Sequence, residues 1–130
     1  MGIKMDEITV ITQDELETPA GSSDVSRKVV FETEDTVLIQ SRVAGGVTTD
    51  WHHNGNRHVY GYAVQGKAVL EYGPEGKDAV ELGAGEFVYV PPRTIRRVVN
   101  LTDEDWVIVL TFVGSGPPAV SVDGPHSVID

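Results

Sequence analysis

Cysteine is absent from this 130-residue chain. A disulfide framework, a thiolate nucleophile and a zinc–thiolate site are therefore excluded. No apolar run approaches the length of a membrane-spanning helix, and the first residues lack the apolar stretch of a secretory signal. We therefore expect a cytoplasmic protein without membrane contacts.

Basic residues are also scarce, because 10 lysines and arginines face 20 aspartates and glutamates and give a formal charge of −10. Nucleic acids and anionic membranes both require a basic surface, so neither is an expected partner. An acidic, lysine-poor surface fits either a salt-rich habitat or simple solubility. The charge alone selects no partner.

A convincing helical pattern is missing, whereas short β-branched and aromatic segments recur between Gly- and Pro-containing turns. The predicted strands are residues 8–12, 28–32, 36–43, 59–65, 67–72, 79–82, 86–90, 97–100, 106–112 and 119–122. This spacing predicts a single all-β sandwich or barrel. We divide the chain into a lead-in over residues 1–27 with an edge or swapped strand, a barrel over 28–122, and a tail over 123–130.

Three of the four histidines, His52, His53 and His58, lie within eight residues that begin at Trp51. Clustered imidazoles are typical of metal sites and of acid–base chemistry near neutral pH. His52 and His53 are adjacent, so on a regular strand they face opposite sides and cannot bind the same metal ion. We expect the mouth of a functional cavity at this cluster.

Two separated blocks within residues 36–113 resemble the two sequence motifs of the cupin superfamily. The first block has Gly46, five further residues, then His52-His53-Asn54 and a closing Gly66. The second block runs from Pro91 to Asn100 with the spacing of the second motif intact. The resemblance implies a double-stranded β-helix, a jelly-roll barrel that holds its site inside.

The resemblance also implies a metal held by two histidines and a glutamate of the first motif and a histidine of the second. Here those four positions carry His52, Asn54, Val59 and Arg96. A guanidinium is cationic and has no lone pair for a metal, so we expect no cofactor. The alternative is a divalent ion (Mn, Fe, Ni or Zn) on His52 and His58, if a one-residue slip turns His58 inward.

Arg96 suggests a different ligand, because a guanidinium inside a small barrel needs an anion. We predict that Arg96 binds the carboxylate or enolate of a small organic molecule, with His52 and His58 as catalytic acid–base groups. The alternative is that Arg96 faces outward or pairs with an acidic side chain of the protein.

Four further side chains are candidate ligand contacts: Trp51, Asn54, Tyr60 and Tyr62. Tyr60 and Tyr62 share one face of their strand, and Val59 shares the other face with Ala63. Either face can line the barrel, and the tyrosines can equally pack in a core or a dimer interface. Trp51 can stack on a ligand at the barrel mouth or serve packing alone.

The resemblance implies a small-molecule-binding cupin, as a metal-independent isomerase, cyclase or decarboxylase of a small oxygenated organic acid. A non-catalytic metabolite-binding cupin and a metal-dependent oxygenase with a rearranged site are the alternatives, so enzymatic activity stays open. The resemblance also implies a homodimer that adds residues 8–12 to the partner's sheet, which would cover an unpaired edge.

Overall fold

The structure, a computed structural model, describes residues 7–16 and 24–125. Ten strands and two short 3₁₀ helices make up this part of the chain. The strands are β1 (Val25–Glu32), β2 (Thr36–Val43), β3 (His52–His53), β4 (His58–Gln65), β5 (Lys67–Tyr72), β6 (Asp78–Gly83), β7 (Phe87–Val90), β8 (Arg96–Val99), β9 (Trp106–Val113) and β10 (Val120–Ser121). The 3₁₀ helices are Gln13–Leu16 and Pro74–Gly76. None of the helices described is long and apolar enough to cross a membrane.

The strands form two five-stranded antiparallel sheets, which we call sheet A and sheet B. Sheet A has the order β1-β2-β9-β4-β7, and sheet B has the order β10-β3-β8-β5-β6. From β2 to β5 and again from β6 to β10, successive strands alternate between the two sheets, as in a double-stranded β-helix. The predicted all-β jelly-roll barrel is therefore confirmed.

Buried and partly exposed residues alternate along the strands, which shows that one face of each sheet points into the barrel. In β2, Val37, Ile39, Ser41 and Val43 are buried, and the residues between them are partly exposed. This two-residue period follows from the pleat of a strand, and it places the apolar members in a core between the sheets. Ser41 is the polar member of this inward series.

The core consists of two groups of buried residues that lie between the sheets. The first comprises Val43, Ala63, Ala68, Leu70, Leu82, Val98, Trp106 and Ile108, and the second Val37, Ile39, Val59, Val90 and Phe112. Trp106 satisfies its indole N–H by donating to the carbonyl of Leu82 at 3.1 Å. Burial of such side chains contributes on the order of 1.5–3 kcal/mol each.

Asn100, the last residue of the second motif, fixes the connection from β8 to β9. Its side chain is fully buried and donates to the carbonyls of Val43, Ala44 and Glu104 at 2.9–3.2 Å. Its Oδ1 accepts from the backbone N–H of Thr102 at 3.0 Å. The motif asparagine therefore stabilises the fold by satisfying buried backbone groups.

Gly66 allows the tight connection between β4 and β5. Its φ of +76° lies in the left-handed region, and a Cβ there would collide with the carbonyl oxygen of Asp105. Both constraints favour glycine at the residue that closes the first motif.

The N-terminal region differs in two details from the predicted strands. Residues 8–12 form no strand within this chain, and Ile8 and Val10 are 99% and 78% exposed. β1 begins at Val25, inside the predicted lead-in, because Val25 and the two residues after it pair with β2. The pairing of residues 8–12 with a second copy stays a prediction, and most of the predicted tail, including His126, lies outside the described residues.

Candidate functional site

β3 and β8 bring His52 and Arg96 together in the barrel. The two residues are direct partners across the antiparallel pair, so their side chains project from the same face of sheet B. Both are buried, at 9% and 5% exposure. His53 projects differently: its Nδ1 accepts from the backbone N–H of Gly55 at 2.9 Å. The alternation of a strand thus selects His52 from the adjacent histidines.

Asn54 holds the Arg96 guanidinium in place. Arg96 Nη1 donates to Asn54 Oδ1 at 2.6 Å, and Asn54 Nδ2 donates to the carbonyl of Pro118 at 2.6 Å. Because the Pro118 carbonyl can only accept, it fixes the amide with its oxygen towards Arg96. The first and second motifs are therefore joined by a neutral hydrogen bond at two positions where the resemblance implies metal ligands.

Arg96 has no carboxylate partner among the described residues. Burial and the positive charge of Arg27 lower the pKa of Arg96 to about 10. The guanidinium therefore stays protonated at neutral pH, as a buried cation whose direct partner among the described residues is a neutral amide. Such a cation is costly unless an anion neutralises it.

His52 is held as a neutral imidazole. Its Nδ1 lies 2.9 Å from the backbone carbonyl of Asp50, which can only accept, so Nδ1 carries the proton and Nε2 the lone pair. Burial lowers the pKa of His52 to about 4, and the charges of Arg96, Arg27 and His53 act in the same direction. The hydrogen bond to Asp50 opposes this shift. At neutral pH His52 offers a base, not an acid.

Two neighbouring cavities lie beside these groups. The inner cavity, of about 30 Å³, is lined by Arg27, Ser41, Val43, Thr49, His52, Leu70, Val88, Val90, Arg96, Val98, Trp106, Ile108 and Leu110. A larger cavity of about 310 Å³, which we call the vestibule, is lined by Asp24, Val25, Arg27, Val47, Thr48, Thr49, Asp50, His52, Ala119 and Ser121. Arg27, Thr49 and His52 line both, so they form the boundary between the vestibule and the inner cavity. A cleft of about 440 Å³ on the outer face of sheet A contains none of the predicted site residues.

Trp51, Tyr60, Tyr62 and His58 do not line the inner cavity or the vestibule. Trp51 stacks with the guanidinium of Arg97, which lies 4.6 Å from the ring centroid. Tyr60 and Tyr62 are 50% and 39% exposed, while Val59 is fully buried. The face of β4 that carries Val59 therefore lines the barrel, and the tyrosines lie on its outer face.

His58 belongs to that outer face. Its Nδ1 lies 2.8 Å from the hydroxyl of Tyr89, and Tyr89 also packs against Tyr60. Tyr62 packs against Phe87 with ring centroids 4.7 Å apart. The structure thus brings together His52, Asn54 and Arg96, and it separates them from the second candidate histidine.

Arg27 is the site residue that sequence reasoning missed. It lies in β1, opposite Ser41 of β2, at the end of the predicted lead-in. Ser41 was the available signal, because it is a polar residue at an inward position of an otherwise apolar alternation. A polar side chain at an inward position predicts that the paired strand carries a polar side chain opposite it.

The donor set does not fit a metal ion. No group of three or more His, Asp or Glu side chains converges in the described part of the chain. His52 and Asn54 could supply two ligands, but Asn54 already bonds Arg96, and the guanidinium carries a positive charge into the same space. The slipped site on His52 and His58 is not formed, since His58 lies on the outer face.

Comparisons with known proteins agree with this architecture. Residues 38–113, more than half of the chain, match the family model of the Cupin domain. No curated protein matches the sequence. Among solved structures, a protein with a double-stranded beta-helix domain from Klebsiella pneumoniae is similar with a TM-score of 0.75 and 20% identity, over 90% of this chain and 99% of that one.

Two further structures have the same fold. The polyketide cyclase RemF from Streptomyces resistomycificus has a TM-score of 0.73 and 15% identity, over 89% of this chain and 86% of that one. KdgF from Halomonas sp. has a TM-score of 0.64 and 24% identity, over 82% and 96%. At these identities the likeness establishes the fold alone. The two motif blocks, the two-sheet barrel and the family match together show that the chain belongs to the cupin family.

Proposed function

We propose that this cupin binds a small organic acid inside its barrel, with Arg96 holding the carboxylate and no metal ion taking part. The observation that carries the proposal is the buried Arg96 guanidinium, which has a neutral amide as its direct partner and no carboxylate among the described residues. A bound carboxylate would supply the missing negative charge in a low-dielectric interior.

The guanidinium has donors to spare for this role. It carries five N–H groups in a fixed planar fork, and one of them is used on Asn54. Because Asn54 is itself fixed by Pro118, Arg96 is held before a ligand arrives. A ligand therefore does not have to immobilise a long side chain, which reduces the entropic cost of binding.

His52 gives the site a possible reaction. Its unprotonated Nε2 can accept the proton from the carbon next to the bound carboxylate, and the electron pair left behind spreads onto carboxylate oxygens near Arg96. In an acid with a double bond beyond that carbon, the protonated Nε2 then returns the proton to the far end of the conjugated system, so that the double bond shifts by one position. This is metal-independent isomerisation by proton transfer, and an anion on Arg96 would raise the pKa of His52 and strengthen it as a base.

Binding without turnover is the second candidate, and one observation favours it. Among the described residues that line the inner cavity, His52 is the sole imidazole, and no carboxylate lines that cavity. A base without a separate acid supports fewer reactions. Exchange of carbon-bound hydrogen for solvent deuterium in the bound acid, lost in His52→Gln, would identify the enzyme; its absence for every bound acid would identify the binding module.

The experiment for the proposal uses matched ligands and matched variants. Calorimetric titration compares two- to six-carbon acids with their uncharged amides, on wild type, Arg96→Gln and Arg97→Gln. Arg97 is the control because it follows Arg96 in β8 but bonds Glu71 at 2.7 Å and stacks on Trp51 outside the cavity. We expect Arg96→Gln to weaken acid binding by roughly 100-fold, since a charge-assisted contact is lost.

Under the same conditions, Arg97→Gln should change acid affinity by less than about twofold, and the amides should bind wild type at least roughly tenfold more weakly than the acids. Equal binding of acid and amide, or full acid affinity in Arg96→Gln, would remove the proposal.

A further inference from the structure

The size of the inner cavity limits what can reach Arg96. The inner cavity measures about 30 Å³ and the vestibule about 310 Å³, so the inner cavity takes a small charged group such as a carboxylate. The remainder of the molecule must lie in the vestibule, which is about ten times larger. The vestibule lining therefore determines which acids this site accepts, given the proposed function.

Arg27, an exposed residue of β1, lies beside both the inner cavity and the vestibule. It makes no hydrogen bond or ion pair with another described side chain. A guanidinium offers donors alone, so the ligand atom beside it must be an acceptor. Counting outward from the carboxylate, this acceptor is an oxygen on one of the next carbons, as in a hydroxy or keto acid.

Farther from Arg96 than Arg27, the vestibule lining offers hydrogen-bond acceptors instead of donors. Asp50 and Asp24 line the vestibule, and both are exposed acceptors when ionised. Partial burial lowers the pKa of Arg27, and the negative charge of the nearby Asp50 opposes this shift. A second carboxylate on the outer part of a ligand would meet like charge here, whereas hydroxyl groups could donate to both side chains.

The rest of the vestibule supports the same reading. Thr48 and Ser121 add hydroxyl groups, and the apolar lining is confined to Val25, Val47 and Ala119. An alkyl chain that covers the carboxylates and hydroxyls of this wall would remove their hydrogen bonds to water without replacing them. A polyol can replace those hydrogen bonds.

We infer that the acid bound by this cupin is a polyhydroxylated monocarboxylate: its carboxylate reaches Arg96, an adjacent oxygen meets Arg27, and its outer hydroxyl groups donate to Asp50 and Asp24. The inference rests on the proposed function, and it names the ligand class of the same site. Arg27 and Asp50 are therefore specificity-determining residues: Arg27 selects for an oxygen next to the carboxylate, and Asp50 selects for hydroxyl groups at the outer end.

Three acids of equal carbon number separate the possibilities: 2,3,4-trihydroxybutanoate, butanoate and succinate, titrated calorimetrically into the full chain. The trihydroxy acid should bind at least about tenfold more tightly than either of the others, because a site that hydrogen-bonds hydroxyl groups disfavours analogues without them. Asp50→Asn should lower the ratio of trihydroxy-acid affinity to succinate affinity several-fold, because the carboxylate that repels the second charge of succinate is gone. Asp78→Asn on β6, outside the vestibule, is the matched control and should keep it.

A thermal melt of each variant verifies folding before titration. Succinate binding as tightly as the trihydroxy acid would overturn the inference, and so would equal affinity for all three acids; either result leaves Arg96 as a carboxylate site. Failure of all three to bind overturns the proposed function itself and the inference with it. An unchanged succinate preference in Asp50→Asn would overturn the role of Asp50.

Discussion

His52 and His58 come from the same short cluster, yet they lie in contrasting environments. His52 is buried in sheet B beside two arginines and lines the cavity, while His58 is exposed on the outer face of sheet A beside Tyr89. The strands cause the difference. His52 lies in β3 opposite Arg96, whereas in β4 it is Val59, the residue after His58, that points inward. Closeness in sequence therefore says little about a shared site when a loop and a change of sheet intervene.

The largest expected effect concerns the pH dependence of stability. The folded pKa of His52 is about 4 and its ordinary value is 6.5, so unfolding takes up a proton between these pH values. The free energy of unfolding should therefore fall as the pH falls through this window, by up to about 3 kcal/mol near pH 4. Burial lowers the pKa of His53 too, which adds in the same direction.

Urea unfolding of wild type and His52→Gln between pH 4 and pH 7 measures this. The variant should lose less stability on acidification, because it lacks the imidazole that protonates on unfolding, while Arg96, Arg27, Asp50 and His53 around it are kept. Parallel stability curves for the two proteins would show that His52 is not held neutral by burial and the arginines.

A smaller effect compares the two faces of β4. Val59 is fully buried in the core and Tyr60 is half-exposed, so Val59→Ala should cost about 2 kcal/mol of stability and Tyr60→Ala less than about 1 kcal/mol. Chemical denaturation gives both values. A reversed order would mean that the aromatic face is covered in solution, as it would be in a homodimer.

The smallest expected effect is on ligand binding by His58→Gln. His58 does not line either cavity of the site, so acid affinity should stay within about twofold of wild type. The same calorimetric titration decides it. A large loss would place His58 in contact with the ligand, through a second copy of the chain.

Much of the fold was readable from the residues. The period-two apolar pattern and the glycine turns predicted an all-β barrel, and the two motif blocks predicted its type, because both reflect local backbone chemistry. The strand predicted at residues 8–12 rested on β-branched content alone, and it has no partner strand among the described residues. Composition cannot supply a partner.

The site was readable in part. The motif spacing named His52, Asn54 and Arg96, which the structure brings together. It could not decide which face of β4 turns inward, since both faces offered plausible residues and register depends on pairing with β7 and β9. Arg27 was missed because its role arises from the pairing of β1 with β2, and the polar Ser41 in β2 indicates an inward polar position without naming the residue that pairs with it.

We propose that Arg96, held by Asn54, makes this barrel an anion site at positions where the resemblance implies metal ligands. The direct measurement is the metal content of protein purified without a histidine tag, incubated with Mn, Fe, Ni or Zn and then exchanged into metal-free buffer. Wild type should retain well under one ion per chain, and the double variant Asn54→His, Arg96→His should retain about one, because it supplies three imidazoles and removes the cation. One tightly held ion per wild-type chain, lost in His52→Ala, would contradict the claim.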